Sequence, residues 1–158
     1  MQEAEVMNNE AVSEWVTFYL NAEKYGVNVL LVSEVLKNTE IAPVPGAPSY
    51  VRGIINLRGN VVTVVDTRER LGLSPREPDD STRIVVIEMD DQVLGIMVDS
   101  VAQVANLRES EIEFAPNVGN DESSKYIHGV SNQDDELLIL LDMNRMFTRE
   151  ELTGETAE

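Results

Sequence analysis

The second half of this chain repeats the first half, and that repetition limits the possible folds more than any other feature. When Gly26 is aligned with Gly95, residues 15–35 match residues 84–104 in strand, polar turn and apolar run without a gap. A second set of matches follows in the same order and with the same internal spacing: Tyr50, Gly53, Asn56 and Asp66 correspond to Tyr126, Gly129, Asn132 and Asp142. Two ordered matches of this kind indicate an internal duplication.

Each repeat has the pattern of a small all-β unit. Short runs of β-branched and aromatic residues alternate with polar positions, and Gly, Asn and Asp separate the runs. A unit of roughly 65 to 70 residues buries only a marginal core by itself, so we expect the two units to pack face to face. Short strands with turn signals at this spacing favour small closed barrels over an open sheet.

The chain is predicted to be one domain with a tail at each end. We expect a flexible acidic tail over residues 1–13, a domain over 14–149 and a second flexible tail over 150–158. The two barrel subdomains of the domain are predicted to divide near residues 78–82, in an exposed polar loop.

Two short helical segments are predicted among the strands. One lies within residues 28–37, because four apolar side chains there share a helical face: Val29, Val32, Val35 and Leu36. The other is a single helical turn at the start of residues 67–80, and a further helix is predicted to begin near Met146.

Composition narrows the function classes. The chain carries 12 Lys and Arg against 29 Asp and Glu, a formal net charge of −17, so a phosphate backbone is repelled and we expect no nucleic-acid partner. No apolar run reaches the length of a membrane span, and the acidic N-terminus lacks the features of a secretion signal. These features predict a cytoplasmic protein without direct insertion into a membrane.

The sequence offers little for catalysis. His128 is the single histidine, and a lone histidine is more often structural than catalytic. The absence of cysteine excludes Cys–His pairs and thiolate metal sites. Paired aspartates occur where turns favour aspartate in any case, and no glycine-rich phosphate loop is present. We therefore predict that the protein is not an enzyme and has no catalytic residues, no metal site and no cofactor.

A charged residue in the predicted hairpin at residues 51–66 points instead to binding. Arg58 precedes Gly59 in the break between two apolar strands, and Glu34 is its natural partner because it lies among apolar residues of the 28–37 segment. An Arg and a Glu that border an apolar patch are typical of an interface edge that fixes register. The alternative is that Arg58 is an ordinary exposed hairpin residue, since isolated surface pairs contribute little.

Taken together, four stretches resemble the CheW family, the chemotaxis coupling proteins: "YGVNVLLVSEVLK", "VRGIINLRGNVVTVVDTR", "VLGIMVDSV" and "LLILLDM". The resemblance covers about residues 14–149, and the hairpin stretch is the most specific part of it. It implies an all-β fold of two similar intertwined five-stranded β-barrels, SH3- or OB-like, with one or two short helices and strands exchanged between the barrels. It also implies a non-enzymatic adaptor of a two-component signal transduction pathway.

The resemblance implies two protein partners. In the family, the adaptor joins the cytoplasmic tip of methyl-accepting chemotaxis receptors to the regulatory domain of the histidine kinase CheA, in arrays at the membrane. The receptor tip docks in a groove between the barrels. Six positions of this sequence match positions linked to receptor binding or to the shape of that groove: Val32, Glu34, Val35, Gly53, Arg58 and Gly59.

A second group of residues matches the kinase contact of the family. By resemblance the 112–118 segment lies near it, with the following predicted contact residues: Ile112, Glu113, Phe114 and Val118. Glu113 departs from the pattern because relatives can carry a basic residue there, which bears on the choice of kinase partner. Thr63 stands where relatives often have proline, and it restores a backbone donor.

Two alternatives remain open at this point. The first is a coupling protein of the same family that acts in a non-flagellar chemosensory pathway. The second is an OB-type barrel that binds nucleic acid or oligosaccharide. The net charge of −17 and the low aromatic content, 5%, count against nucleic acid.

Overall fold

The computed structural model describes residues 11–37, 39–90, 92–114 and 126–147. Within them the chain forms ten β-strands and two one-turn α-helices. The strands of the first half are β1 Val12–Leu20, β2 Glu23–Asn28, β3 Val32–Lys37, β4 Val51–Leu57 and β5 Asn60–Asp66, followed by α1 Thr67–Arg70. The second half contains β6 Arg83–Met89, β7 Gln92–Val98, β8 Ser100–Arg108, β9 Ile127–Gln133 and β10 Glu136–Leu141, followed by α2 Met143–Met146. Two 3₁₀ turns complete the set, Val29–Leu31 and Glu109–Glu111.

The strands form two five-stranded sheets of the same internal order. The first sheet runs β8-β1-β2-β10-β9 and the second runs β3-β6-β7-β5-β4. Each sheet therefore combines two strands of one repeat with three strands of the other repeat. In both sheets one parallel pair, β2 with β10 and β5 with β7, joins two antiparallel groups. The predicted fold class, all-β with two similar intertwined five-stranded units and short helices, is confirmed.

A backbone bridge links the two ends of each sheet and closes it into a barrel. In the second sheet, the amide of Ala42 donates to the carbonyl of Ile54 on β4 at 2.9 Å, so the segment after β3 reaches the opposite edge strand. In the first sheet, the amide of Glu113 donates to the carbonyl of Val130 on β9 at 2.8 Å. Closure leaves no free edge at these positions for pairing with another chain. We name the first closed sheet barrel A and the second barrel B.

The matched residues of the two repeats occupy equivalent structural positions. Asp66 caps α1 and Asp142 caps α2, and each carboxylate accepts hydrogen bonds from the first backbone amides of its helix. The amide of each aspartate donates to a tyrosine carbonyl, Asp66 to Tyr50 at 2.7 Å and Asp142 to Tyr126 at 2.8 Å. The matched residues of the two repeats therefore make the same capping and backbone hydrogen bonds.

The hydrophobic core has three parts. Small clusters fill the two barrels, one around Trp15, Leu107, Leu138 and Leu140 in barrel A, and one around Ile55, Val62, Val64, Ile84 and Val86 in barrel B. A larger cluster joins the barrels and includes Phe18 and Leu20 of barrel A with Ile87 and Leu94 of barrel B, all fully buried. Burial of this shared cluster supplies the core that neither unit could form alone.

The predicted helix within residues 28–37 is wrong. Only Val29–Leu31 turn, as a single 3₁₀ turn, and residues 32–37 are strand β3. The pairing of β3 with β6 shifts between Val32, opposite Ile87, and Glu34, opposite Val86, which leaves Ser33 as the extra residue of a β-bulge. Burial alternates regularly along β3, but the apolar Val35 stands on its exposed side and the charged Glu34 on its half-buried side, so the residue types imitate a helical face.

The remaining element boundaries agree in part with those predicted. Strand β1 begins at Val12, inside the segment predicted to be the N-terminal tail, and α1 confirms the helical turn predicted after β5. The last helix ends at Met146, before most of its predicted span. The predicted tail over 150–158 lies outside the described residues. No helix in the described part of the chain is long and apolar enough to cross a membrane.

Candidate partner-binding site

The turn between β4 and β5 presents Arg58 in an uncommon backbone conformation. Leu57 pairs with Asn60, and the two residues between them have positive φ, 52° at Arg58 and 87° at Gly59. This is the pattern of a type I′ turn, which matches the twist of a hairpin but favours Asn or Gly at both central positions. The side chain of Asn56 supports the turn by accepting a hydrogen bond from the amide of Gly59 at 2.9 Å. Arg58 therefore occupies a position that costs backbone free energy for a residue of its type.

Arg58 is paired with Glu34 of β3 through both guanidinium nitrogens. One nitrogen donates to Oε1 at 3.4 Å and the other donates to Oε2. The two residues lie 24 positions apart, and β3 and β4 are the two end strands in the order of barrel B. The pair thus spans the closure of barrel B, on the same seam as the Ala42–Ile54 bridge. The structure brings together the two charged residues that the sequence singled out.

The pair is exposed on the arginine side and half-buried on the glutamate side. The Arg58 side chain is 71% exposed and the Glu34 side chain is 27% exposed. The hydrogen bond from Arg58 holds the pKa of Glu34 below its ordinary value, against the opposing effect of partial burial. Glu34 is therefore ionised at neutral pH, and the guanidinium stays available to a further acceptor because it is mostly in solvent.

A groove of about 600 Å³ lies beside the pair. The described residues that line it all belong to barrel B: Ser33, Glu34, Leu57, Arg58, Asn60, Val61, Val62, Val86, Glu88, Met89, Asp90, Gln92 and Val93. Val61 is 69% exposed and Val93 is 42% exposed, so the groove combines solvated valines with charged groups at its rim. The groove surface is mainly polar with a few exposed apolar side chains, which is the character of an interface rim where polar contacts fix register.

The other predicted receptor-binding residues differ in how accessible they are. Val32 is half-buried against the shared core, whereas Val35 is 43% exposed. Gly53 is buried, with φ at 148°, and a Cβ atom there would overlap the carbonyl of Ala42. Gly59 has open space around it. The geometry therefore gives Gly53 and Gly59 backbone roles, while Val35, Glu34 and Arg58 present side chains.

The predicted kinase-binding segment lies on barrel A, apart from the pair. Ile112 is half-buried, and Glu113 is exposed although its backbone makes the bridge that closes the barrel. Phe114 is 57% exposed and contacts His128 edge-on, with ring centroids 5.3 Å apart. Val118 lies outside the described residues. Ile112 and Phe114 thus supply accessible apolar surface at one rim of barrel A.

A buried charge cluster that sequence reasoning missed joins the two halves. Asp99, between β7 and β8, accepts hydrogen bonds from Arg68 and Arg76, each at 2.8 Å, and from the amide of Asn21 at 2.8 Å. Arg68 also donates to the carbonyl of Ser74 at 2.9 Å, and it is nearly buried like Asp99. Nothing in the local sequence marks these residues, since they lie far apart along the chain. Among the described residues, no group of three or more His, Cys, Asp or Glu could hold a metal ion.

Comparison with known proteins places this geometry in a family. Residues 14–151 match the family model of the CheW-like domain. The chemotaxis protein CheW of Bacillus subtilis (strain 168) is 35% identical over 93% of this chain and 92% of its own length. The corresponding protein of Treponema pallidum (strain Nichols) is 32% identical, over 91% of this chain and 87% of its own. The chain belongs to the CheW family.

The fold agrees with that assignment. The crystal structure of the scaffolding protein TtCheW from Thermoanaerobacter tengcongensis matches with a TM-score of 0.81 and 32% sequence identity. The match covers 89% of this chain and 96% of the TtCheW chain. CheW-family proteins are non-enzymatic scaffold or adaptor proteins of chemotaxis, so the recognition and the predicted lack of enzymatic activity are confirmed.

Proposed function

We propose that this CheW-family protein couples chemotaxis receptors to the histidine kinase CheA. Arg58 and Glu34 contact the cytoplasmic tip of a methyl-accepting receptor, together with Val32 and Val35, and the rim of barrel A formed by Ile112 and Phe114 contacts the regulatory domain of the kinase. The protein acts in the cytoplasm and is recruited to receptor arrays at the membrane.

The observation that carries the receptor side is the conformation of Arg58. Its backbone has a φ of 52°, in the left-handed region, yet its guanidinium is 71% exposed. A surface pair of this exposure contributes little to folding, so the fold alone gives no reason to keep an arginine in a strained turn position. Partner binding does give a reason for an arginine here. Glu34 holds the guanidinium in place, so that its remaining N–H donors face a partner in a fixed direction.

The exposure of Phe114 and its position on barrel A support the proposed kinase contact. Phe114 is 57% exposed, and aromatic side chains of this exposure beside an apolar rim are typical of interface anchors. Barrel A carries this rim and barrel B carries the Arg58–Glu34 pair, so one adaptor molecule can hold two partners at once. A small shift of the receptor then changes the position of the kinase, and the array adds avidity to contacts that are individually weak.

The decisive experiment is co-sedimentation of the purified protein with receptor-containing membranes and CheA, scored together with ATP-dependent kinase autophosphorylation. We expect activation of the kinase that requires both the receptor and this chain. Arg58→Glu should weaken receptor binding at least about tenfold, because it reverses a charge at the interface and repels Glu34. Arg108→Glu makes the same charge change at an exposed position of barrel A and should leave receptor binding intact.

Two results would contradict the proposal. One is unchanged co-sedimentation of the folded Arg58→Glu variant with receptor membranes. The other is kinase activation that is the same with and without this chain. The circular dichroism spectrum and the unfolding midpoint of each variant must match the parent protein, so that a loss of binding is not a loss of fold.

A further inference from the structure

Two arginines of α1 reach across the joint between the barrels in different directions. The helix directly follows β5 of barrel B, and Arg68 and Arg70 are two positions apart on it, so their side chains do not share a face. Arg68 bonds to Asp99 at 2.8 Å and to the side chain of Asn21, in the β1–β2 turn of barrel A, at 2.9 Å. Arg70 instead reaches α2 and the aromatic residues beside it.

Three aromatic rings lie around the guanidinium of Arg70. Its Cζ atom is 4.8 Å from the ring centroid of Tyr50, 5.2 Å from that of Tyr126 and 5.7 Å from that of Phe147. Its Nε atom also donates to the carbonyl of Met146, the last residue of α2, at 2.6 Å. A cation over aromatic faces is attracted by their π-electrons, and the attraction is stronger when the cation is partly removed from water, as the half-buried Arg70 is.

The groups around Arg70 come from both repeats and include equivalent residues. Tyr50 immediately precedes β4 of barrel B, and its repeat equivalent Tyr126 immediately precedes β9 of barrel A. Arg70 and Met146 are also equivalent, since each is the last residue of the one-turn helix that follows a capping aspartate. One repeat therefore has a cation where the other has an uncharged side chain, and this single guanidinium contacts both tyrosines.

Two separate polar contacts fix an angle more firmly than apolar packing does. The shared core holds the barrels together, but burial of apolar surface is non-directional. The bond from Arg68 to Asn21 ties α1 to barrel A at one point, about which the helix could still turn. The contact of Arg70 with α2 supplies a second point, and its hydrogen bond and planar guanidinium tolerate only a narrow range of directions.

We propose that Arg70 is a positioning residue that fixes the angle between barrel A and barrel B, and that this fixed angle transmits a receptor movement to the kinase. The transmission rests on the proposed coupling function, which puts the receptor on barrel B and the kinase on barrel A. Without the Arg70 contact each barrel keeps its own binding surface, but a movement of one barrel is partly absorbed at the joint. Binding and activation should therefore separate.

The angle between the barrels can be measured without any partner, because the chain has no cysteine. Val61→Cys on barrel B and Val104→Cys on barrel A place two spin labels at exposed positions of the full-length protein. We expect one narrow distribution of label distances in this background and a broader one after Arg70→Met, which installs the residue of the equivalent position. Arg145→Met is the matched control, since Arg145 lies on α2 with a side chain 67% exposed, and it should leave the distribution unchanged.

The separation of binding from activation is measured with the same two arginine variants, without labels, in the receptor and CheA assay. Arg70→Met should lower kinase activation several-fold, while its co-sedimentation with receptor membranes and its binding to CheA stay at the parent level. Arg70→Lys keeps a cation over the rings but loses the planar group and the Nε donor, so it should recover only part of the activation. Arg145→Met should activate like the parent protein.

Each half of the proposal has an outcome that overturns it. An unchanged distance distribution in the folded Arg70→Met protein would overturn the role of Arg70 in fixing the angle. A broadened distribution with full kinase activation would overturn the transmission step, and so would a loss of activation that only follows a loss of binding. If the parent chain itself does not activate the kinase, the coupling function fails, and the distance measurement alone decides on the Arg70 contact.

Discussion

The guanidinium of Arg68 and the carboxylate of Asp99 lie 2.8 Å apart, with side chains 8% and 10% exposed, and they belong to different repeats. The same Asp99 oxygen also accepts from Arg76 and from the amide of Asn21 in the β1–β2 turn. One carboxylate therefore holds barrel A, α1 and the loop after α1 in a fixed arrangement.

Removing this carboxylate should destabilise the whole molecule. We expect Asp99→Ala to lower the free energy of unfolding by about 3–5 kcal/mol, because Arg68 is left buried without its counter-charge. Asp79→Ala is the matched control, since Asp79 pairs with Arg76 at 3.1 Å but is 49% exposed, and it should change the unfolding midpoint far less. Urea unfolding measures both values, and equal midpoints would contradict this account.

The buried glycines of the two barrels should tolerate alanine to different degrees. At Gly53 a Cβ atom would overlap the Ala42 carbonyl and lie 2.7 Å from Cγ2 of Ile41, and φ is 148°. We expect Gly53→Ala to cost about 3 kcal/mol or more in unfolding free energy. At the equivalent Gly129 the nearest atoms are a movable side-chain methyl of Ile112 at 2.9 Å and the Glu113 carbonyl oxygen at 3.0 Å, so the overlap is smaller and Gly129→Ala should cost less. Denaturant midpoints of the two variants decide the order.

Arg58→Asn should separate folding from binding. Asparagine suits the left-handed position at the first central residue of a type I′ turn, which stabilises the hairpin, while the pair with Glu34 is lost. We expect an unfolding midpoint close to that of the parent protein, together with weaker receptor binding. Thermal unfolding and receptor pull-down of the same preparation test this. A large loss of stability would show that the pair serves mainly to close barrel B.

The pKa of Glu34 should depend on its hydrogen bond with Arg58. Because folding lowers its pKa, the pair contributes stability fully above the ordinary glutamate pKa of about 4.3, and this contribution is lost as the pH falls through the lower folded value. Carboxyl carbon shifts in an NMR pH titration measure the folded pKa. We expect Arg58→Gln to raise it, and Arg108→Gln to leave it unchanged. If the pKa of Glu34 is the same in the Arg58→Gln variant, the pair does not persist in solution.

Much of the fold followed from the repeat, because a duplicated pattern of strands and turns carries information from two copies. The hairpin around Arg58 could also be predicted from the sequence, since Gly59 and Asn60 mark the turn. Strand β3 was mistaken for a helix, because the apolar Val35 stands on its exposed side and the charged Glu34 on its half-buried side.

One contact of the candidate site, between Arg58 and Glu34, could be predicted from the sequence. The approach of Glu34 to Arg58 could be inferred because opposite charges border apolar runs in both segments. The Arg68–Asp99–Arg76 cluster could not, since it depends on where β7 leaves barrel B and β1 turns in barrel A.

The reciprocal composition of the two sheets also has a meaning for the origin of the protein. A half-length chain with this topology would close its barrels only by trading strands with a second copy, as an obligate homodimer. Gene fusion converts such a dimer into one polypeptide of fixed stoichiometry and releases its halves from identical sequence. Barrel B could then specialise the Arg58 turn while barrel A kept Phe114 and an apolar rim. Fusion of this kind would account for two barrels of one topology that present dissimilar surfaces.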